Sequence, residues 1–225
     1  MINQIYDRKY VWSWKYLLRF ELAGLIGRTF FNKPPRSESK LLHLGCGNIY
    51  LPEFVNADYY YLRWVPFRKQ TNKYDWLTDF RYKLSCPDNY WEGVFSEHTI
   101  EHFHYSDCLQ LFKELYRTMK PGAWLRICTP GLEEVLSGKG VAKTSDYQHF
   151  SGEDSSSQIK AIAIYNLTQN YGHVSVWDSD LMTAVLRDAG FTTIHNVSYR
   201  QGADPRLLKD SAGRKEGSLY MEAQK

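Results

Sequence analysis

One stretch limits this chain more than any other. Leu41-Leu42-His43-Leu44 is a short apolar run that ends in Gly45-Cys46-Gly47-Asn48. Such a run reads as a buried strand delivering its end to a tight loop. Neither glycine carries a Cβ, so the backbone of the loop can approach a ligand closely. A second strand, Phe54-Val55-Asn56-Ala57-Asp58, follows at once. A full crossover helix generally needs a dozen or more residues, so this connection must shrink to a turn. Asp58 closes the second strand at the same sheet edge, where an acid can take both hydroxyls of a ribose. The plainer reading of Asp58 is a strand-end cap.

The rest of the chain continues the alternation. Trp76-Leu77-Thr78-Asp79, Gly93-Val94-Phe95-Ser96 and Ala123 to Cys128 read as further strands, the last ended by Thr129-Pro130. Ser106 or Asp107 caps a helix with Leu109, Phe112, Leu115 and Met119 on one side, stopped by Pro121-Gly122. Asp178 caps another through Leu181, Met182, Val185, Leu186 and Ala189, with Gly190 as its stop. Phe191 to Ser198 and Ser218 to Ala223 close the chain as strands with no helix between them, which suits an antiparallel pair. The fold class is therefore α/β with a mainly parallel sheet. Residues 59–75 read as an aromatic insertion, Ser151 to Ser157 as a polar loop and Gln158 to Tyr171 as a helix.

Residues 1–39 differ from the main domain, 40–225. Trp12, Trp14, Tyr16, Leu18, Leu22 and Leu25 mix with Lys15, Arg19 and Arg28, and Pro34 to Ser39 is a linker. This N-terminal helical extension is either a lid on the main domain or a helix in peripheral contact with a membrane surface.

Composition closes several alternatives. With 225 residues, 43% apolar and 24% charged, the chain can bury a large core and is not intrinsically disordered. A net charge of +3 is too weak to argue for nucleic acid. Cys46, Cys86, Cys108 and Cys128 form no C-x-x-C pair, so no zinc site is indicated and a reducing, cytoplasmic setting is expected. Charges interrupt every apolar stretch before about 18 residues, so no membrane span is expected. The first residues lack the apolar run of a signal peptide.

A dinucleotide fingerprint needs a third glycine where Tyr50 stands, and the shortened crossover leaves little helix dipole for a pyrophosphate. Both weaken a nicotinamide oxidoreductase. A ligand with a ribose but no phosphate suits the loop better. Here the residues carry a resemblance. Leu41 to Asn48 resembles the first motif of class I S-adenosylmethionine-dependent methyltransferases, and Asp58 their ribose acid. Asp79-Phe80-Arg81, Pro87-Asp88-Asn89 and Gly93 to His98 are similar to their adenine segment and fourth strand. Leu115 to Ile127 resembles their helix, Lys-Pro-Gly turn and fifth strand, and Asp180 to Phe191 their later helix ending in Ala-Gly-Phe. The closing Gly217-Ser218-Leu219-Tyr220 is similar to a branch of small methyltransferases found in surface-polysaccharide pathways. The resemblance implies a Rossmann-like, seven-stranded, mainly parallel sheet with an antiparallel closing hairpin. It implies S-adenosyl-L-methionine held by Leu44, Gly45, Cys46, Gly47, Asp58, Tyr59, Asp79, Phe80, Ser96 and Glu97. His43 departs from the family, which usually carries an acid there.

Residues 97–104 read Glu-His-Thr-Ile-Glu-His-Phe-His, behind the fourth strand and at the ligand edge. His98, Glu101 and His102 share one face if the chain turns helical, and His173 precedes the Asp178-capped helix. These four are the candidate catalytic residues. As a polar loop they would only make structural hydrogen bonds. As a general base, a neutral His takes the proton of an alcohol near neutral pH. As a divalent metal site formed by Glu101, His102 and His173, they would lower the alcohol's pKa. His98-x-x-Glu101-His102 with a later His173 is similar to a pattern in ubiquinone-pathway O-methyltransferases and small-RNA terminal ribose methyltransferases, which use a metal and carry Glu where His98 stands. The expected function is O-methylation of a sugar, glycan or small-molecule hydroxyl. The alternatives are an RNA ribose 2′-O-methyltransferase, which would need a basic stripe, and a non-catalytic S-adenosylmethionine-binding scaffold.

Overall fold

The computed structural model describes residues 14–35, 37–60, 73–137, 160–169 and 171–225. Trp12, most of the expected aromatic insertion, the Ser151–Ser157 loop and parts of the expected 158–171 helix lie outside the described residues. Seven strands form one sheet: β1 (Leu41–Leu44), β2 (Val55–Asp58), β3 (Trp76–Leu77), β4 (Trp91–Glu97), β5 (Met119–Pro130), β6 (Thr193–Val197) and β7 (Ser218–Gln224). Their order is β3-β2-β1-β4-β5-β7-β6. The first five run parallel, and β7 pairs antiparallel with both β5 and β6. The seven-stranded, mainly parallel sheet with a closing antiparallel pair is the expected one.

Five α-helices are described. α1 spans Trp14–Phe30, α2 Tyr105–Thr118, α3 Leu132–Leu136, α4 Lys160–Gln169 and α5 Ser179–Ala189. Cys108, Leu111, Phe112 and Leu115 of α2 join Met182 and Leu186 of α5 in a core with Leu42, Val55, Val94 and Leu125 of the sheet. Asp178 accepts from Leu181 N at 2.8 Å and Gly190 ends α5 with φ +113°, the start and stop read in the sequence. Between β1 and β2 the chain makes only turns, as the spacing requires.

Two boundaries differ from the sequence reading. α2 begins at Tyr105 behind His104, ahead of Ser106 and Asp107. β5 begins at Met119, not Ala123. Met119 pairs with Trp91, the register then shifts, and Trp124 pairs with Gly93. Pro121 cannot donate to a ladder and Gly122 sits at φ +81°, so the Pro-Gly pair interrupts the strand from inside it.

The loop between β6 and β7 is tied down from below. Arg126 of β5 is fully buried and donates to Asp210 Oδ1 at 2.8 Å, Glu222 Oε1 at 2.9 Å and the carbonyls of Gln201 and Ser198. A buried guanidinium is tolerable only with such partners. The network fixes the loop that carries Ser211 and Arg214 to β5 and β7.

His43 of β1 is also buried, its Nδ1 3.1 Å from Asn56 Oδ1. Burial holds its pKa down at about 4. The folded protein then binds fewer protons than the unfolded chain between that value and the ordinary one. The stability contributed by neutral His43 is present above the ordinary value and lost as the pH falls toward the depressed one. His43→Leu is expected to reduce the acid sensitivity of unfolding by on the order of 2 kcal/mol between about pH 7 and pH 5. Urea midpoints at the two pH values measure it. An unchanged difference between them would show that His43 is not the source.

Candidate active site

Strand order reverses between β1 and β4, and open α/β sheets bind ligands outside the carboxyl ends of strands at such a point. The end of β1 runs into Gly45, at φ +69°, where a Cβ would lie 2.2 Å from Thr99 Oγ1. Only glycine fits there. Gly47 also has positive φ, but a Cβ there would meet nothing within 4 Å, so the outer side of this loop is open to a ligand. Asp58, at the end of β2, braces the loop. Its Oδ2 accepts from Gly47 N at 2.7 Å and its Oδ1 from Tyr59 N at 2.7 Å. Cys46 Sγ lies a further 3.8 Å from Oδ2, so the carboxylate gathers the glycine loop around the end of β2.

The other expected cofactor residues divide. Leu44 at the end of β1 and Cys46 within the loop are buried, and Ser96 Oγ donates to Leu44 O at 3.3 Å. Phe80 is buried edge-on to Phe103. Asp79 is saturated: Oδ1 accepts from Arg81 N and Nε, and Oδ2 from Arg81 Nη2 and Arg28 Nη1. Glu97 is likewise engaged, accepting from Ser211 N at 2.8 Å, from Ser211 Oγ and from Arg214. Both acids were expected at the cofactor, and both hold other parts of the chain: Asp79 holds α1, and Glu97 holds the 198–217 loop. Tyr59 stacks on Phe20 of α1 at 4.0 Å and donates its hydroxyl to Phe20 O. Ser211 and Arg214 have no signature in the sequence, because their partner lies more than a hundred residues away.

The histidine and glutamate cluster assembles at the same edge. Ile100–His102 is a single 3-10 turn, so the face imagined for a longer helix is partly realised. His98 stands outside it at φ +52°. Thr99 Oγ1 reaches Leu44 O and Gly45 O, joining the turn to the glycine loop. Glu101 O accepts from Val174 N at 2.9 Å and Ser175 N at 3.2 Å, and Gly131 bridges Trp177. These bonds lay residues 173–177 across the carboxyl edge and bring His173 to His102, with ring centroids 5.2 Å apart.

Hydrogen bonds fix which ring nitrogens are free. His102 Nδ1 lies 3.2 Å from Gly172 O and His173 Nδ1 2.9 Å from Leu167 O. A carbonyl only accepts, so both Nδ1 atoms carry the proton and both Nε2 atoms keep a lone pair. Those Nε2 atoms each lie 4.0 Å from Glu101 Oε1. Ser218 Oγ donates to Arg214 O at 2.6 Å, so it accepts from His98 Nε2 at 3.1 Å, which leaves the His98 Nδ1 lone pair 3.4 Å from the same Oε1. Three imidazole acceptors thus converge on one carboxylate oxygen. That oxygen is buried and has no hydrogen-bond partner, while Oε2 accepts from Thr129 at 3.2 Å. Burial pushes Glu101 up to about 7 and His98 down to about 3, and it also lowers His102 and His173. Glu101, His102 and His173 offer ligand atoms within 4.8 Å of one another. The cluster can take a proton, share one, or hold a cation.

The sequence profile of the methyltransferase domain family matches residues 17–196. No curated protein sequence matches the chain. Among solved structures, a SAM-dependent methyltransferase from Archaeoglobus fulgidus aligns at 15% identity with a TM-score of 0.51, covering 95% of this chain and 100% of that one. An S-adenosylmethionine-dependent methyltransferase from Mesorhizobium loti aligns at 12% identity and a TM-score of 0.47, covering 89% and 96%. The profile spans most of the chain, from within α1 to β6, and the Archaeoglobus structure aligns over nearly all of it: the chain belongs to the methyltransferase domain family and has the fold of the S-adenosylmethionine-dependent methyltransferases.

Proposed function

We propose that the chain transfers the methyl group of S-adenosylmethionine to a hydroxyl oxygen of a sugar, glycan or other small molecule. The observation that carries this reading is the set of unprotonated Nε2 atoms on His102 and His173, placed beside the glycine loop through Thr99. The cofactor lies over Gly45–Asn48 with its ribose on Asp58 and its adenine beside Phe80. The acceptor oxygen attacks the methyl carbon in line with sulfur. The new C–O bond forms as the C–S bond breaks, and the electron pair stays on sulfur as S-adenosylhomocysteine leaves. A hydroxyl is a poor nucleophile while it keeps its proton, so a base must take that proton. His102, more exposed than His173, faces the acceptor, and the buried His173 holds the second position. Gly172 O and Leu167 O fix the tautomer of each ring, so the basic nitrogen points inward in both.

A second reading rests on the unpartnered Oε1 of Glu101. Glu101, His102 and His173 would hold a divalent cation, and the two carbonyl contacts are the outer bonds that orient metal-binding histidines. A bound cation would supply Lewis acidity that lowers the acceptor's pKa. Chelation separates the two readings. Under the base reading, turnover of a hydroxylated acceptor is unchanged by chelator, and the purified chain holds no stoichiometric metal. Under the metal reading, chelation abolishes turnover, added Mg²⁺, Mn²⁺ or Zn²⁺ restores it, and Glu101→Gln lowers the metal content. A chain that binds the cofactor yet methylates only amines or thiols would contradict the hydroxyl acceptor in both.

A further inference from the structure

α1 carries one side that is seated on the domain and one that is not. Its inner side is seated on the domain: Phe20 stacks on Tyr59, Arg28 pairs with Asp79, and Glu21 is held by Arg81. These contacts fix it beside the carboxyl ends of β2 and β3, the edge that carries the site. Its outer side is unusual. Trp14, Leu18, Leu22 and Leu25 follow one another at helical spacing on one stripe, and they are 69%, 61%, 47% and 56% exposed. Phe30, the last residue of the helix, and Phe31 after it are exposed as well. An apolar stripe normally faces a core, and contiguous apolar patches on a folded surface mark interaction sites.

Charge decides what covers the stripe. Lys15, Arg19 and Lys33 are exposed beside it, and no ion pair joins them to an acid among the described residues. The one acid on the helix, Glu21, is already bonded through both oxygens to Arg81. A second copy packed on the same face would set the Lys15 and Arg19 pairs of two protomers along one seam, an unfavourable like-charge contact. Residues 61–72 of this chain hold Arg63, Arg68 and Lys69 and no acid, so covering the stripe with them would add cations to cations. Aromatic and aliphatic side chains flanked by unpaired cations suit an anionic lipid surface, where the apolar stripe enters the headgroup boundary and the cations meet the lipid charges.

We propose that α1 docks the protein on an anionic membrane surface, with the carboxyl edge of the sheet held next to it. That a membrane-borne molecule is the methyl acceptor would rest on the reading given above, but the docking does not.

Vesicle flotation of the full chain tests the docking alone. Vesicles of phosphatidylcholine with about 30% phosphatidylglycerol are expected to carry the protein up the gradient, and pure phosphatidylcholine or high salt to release most of it. The double variant Leu18→Glu, Leu22→Glu changes only exposed positions and is expected to lower the bound fraction tenfold or more. The variant Lys15→Glu, Arg19→Glu should lose the preference for the anionic vesicles. Circular dichroism and S-adenosylhomocysteine binding should match wild type in both, which separates failure of docking from failure of the site. Three results would overturn the proposal: no flotation of the wild type, equal flotation of the leucine variant, or a wild-type dimer that the leucine variant dissolves, which would make a second copy the occupant.

Discussion

Asp58→Ala is expected to weaken S-adenosylmethionine binding by about 10²–10⁴-fold. Two hydrogen bonds from ribose hydroxyls to a carboxylate are worth roughly 1.5–3 kcal/mol each before compensation, and each 1.4 kcal/mol is about a factor of ten. A second cause adds to the first. Asp58 Oδ2 also holds Gly47 N at 2.7 Å, so the loop that approaches the cofactor loses its brace. Asp58→Asn keeps the shape but loses charge and acceptor capacity, and should fall between the two. Titration calorimetry on both variants, with circular dichroism to show that they remain folded, gives the answer. A folded Asp58→Ala chain that binds as tightly as wild type would remove the ribose from Asp58.

His173→Ala is expected to cut methyl transfer by about 10²–10⁴-fold, the usual size of a lost general base, while cofactor affinity stays within a few fold. His102→Ala should do the same. The double variant should be little worse than either, because groups that act as a unit are strongly non-additive. The split between turnover and cofactor affinity separates a role at the acceptor from a structural one, since loss of packing at the carboxyl edge would disturb both. A fully active double variant would return the cluster to ordinary structural hydrogen bonding.

Much of the fold is legible because its signals are local. The two-glycine turn, the missing crossover helix, the Asp178 cap and the Gly190 stop each depend on residues next to one another in the chain. The boundary of β5 is not local. Whether Pro121-Gly122 ends a helix or interrupts a strand depends on the pairing of Met119 with Trp91, which no window around residue 121 contains.

The candidate site follows the same rule. Glu101, His102 and His173 could be named from their types and their places at strand ends, and the structure brings them together. Which nitrogen of each ring is free could not be read, because Gly172 O, Leu167 O and Ser218 Oγ decide it. The protein partners of Asp79 and Glu97 could not be read for the matching reason. Nothing next to an acid at a strand end shows which distant cation pairs with it, and here Arg28 and Arg214 do. Asp58 holds Gly47 N, Tyr59 N and Cys46 Sγ, all from its own strand end and the glycine loop before it, so its place was the most readable of the three.

The most direct test of the account is a calorimetric titration of the full chain with S-adenosylmethionine and, separately, with NADH. The account predicts one S-adenosylmethionine bound per chain, at an affinity that falls in the Asp58 variants, and no binding of NADH. Binding of NADH, or S-adenosylmethionine binding that is indifferent to Asp58, would contradict it.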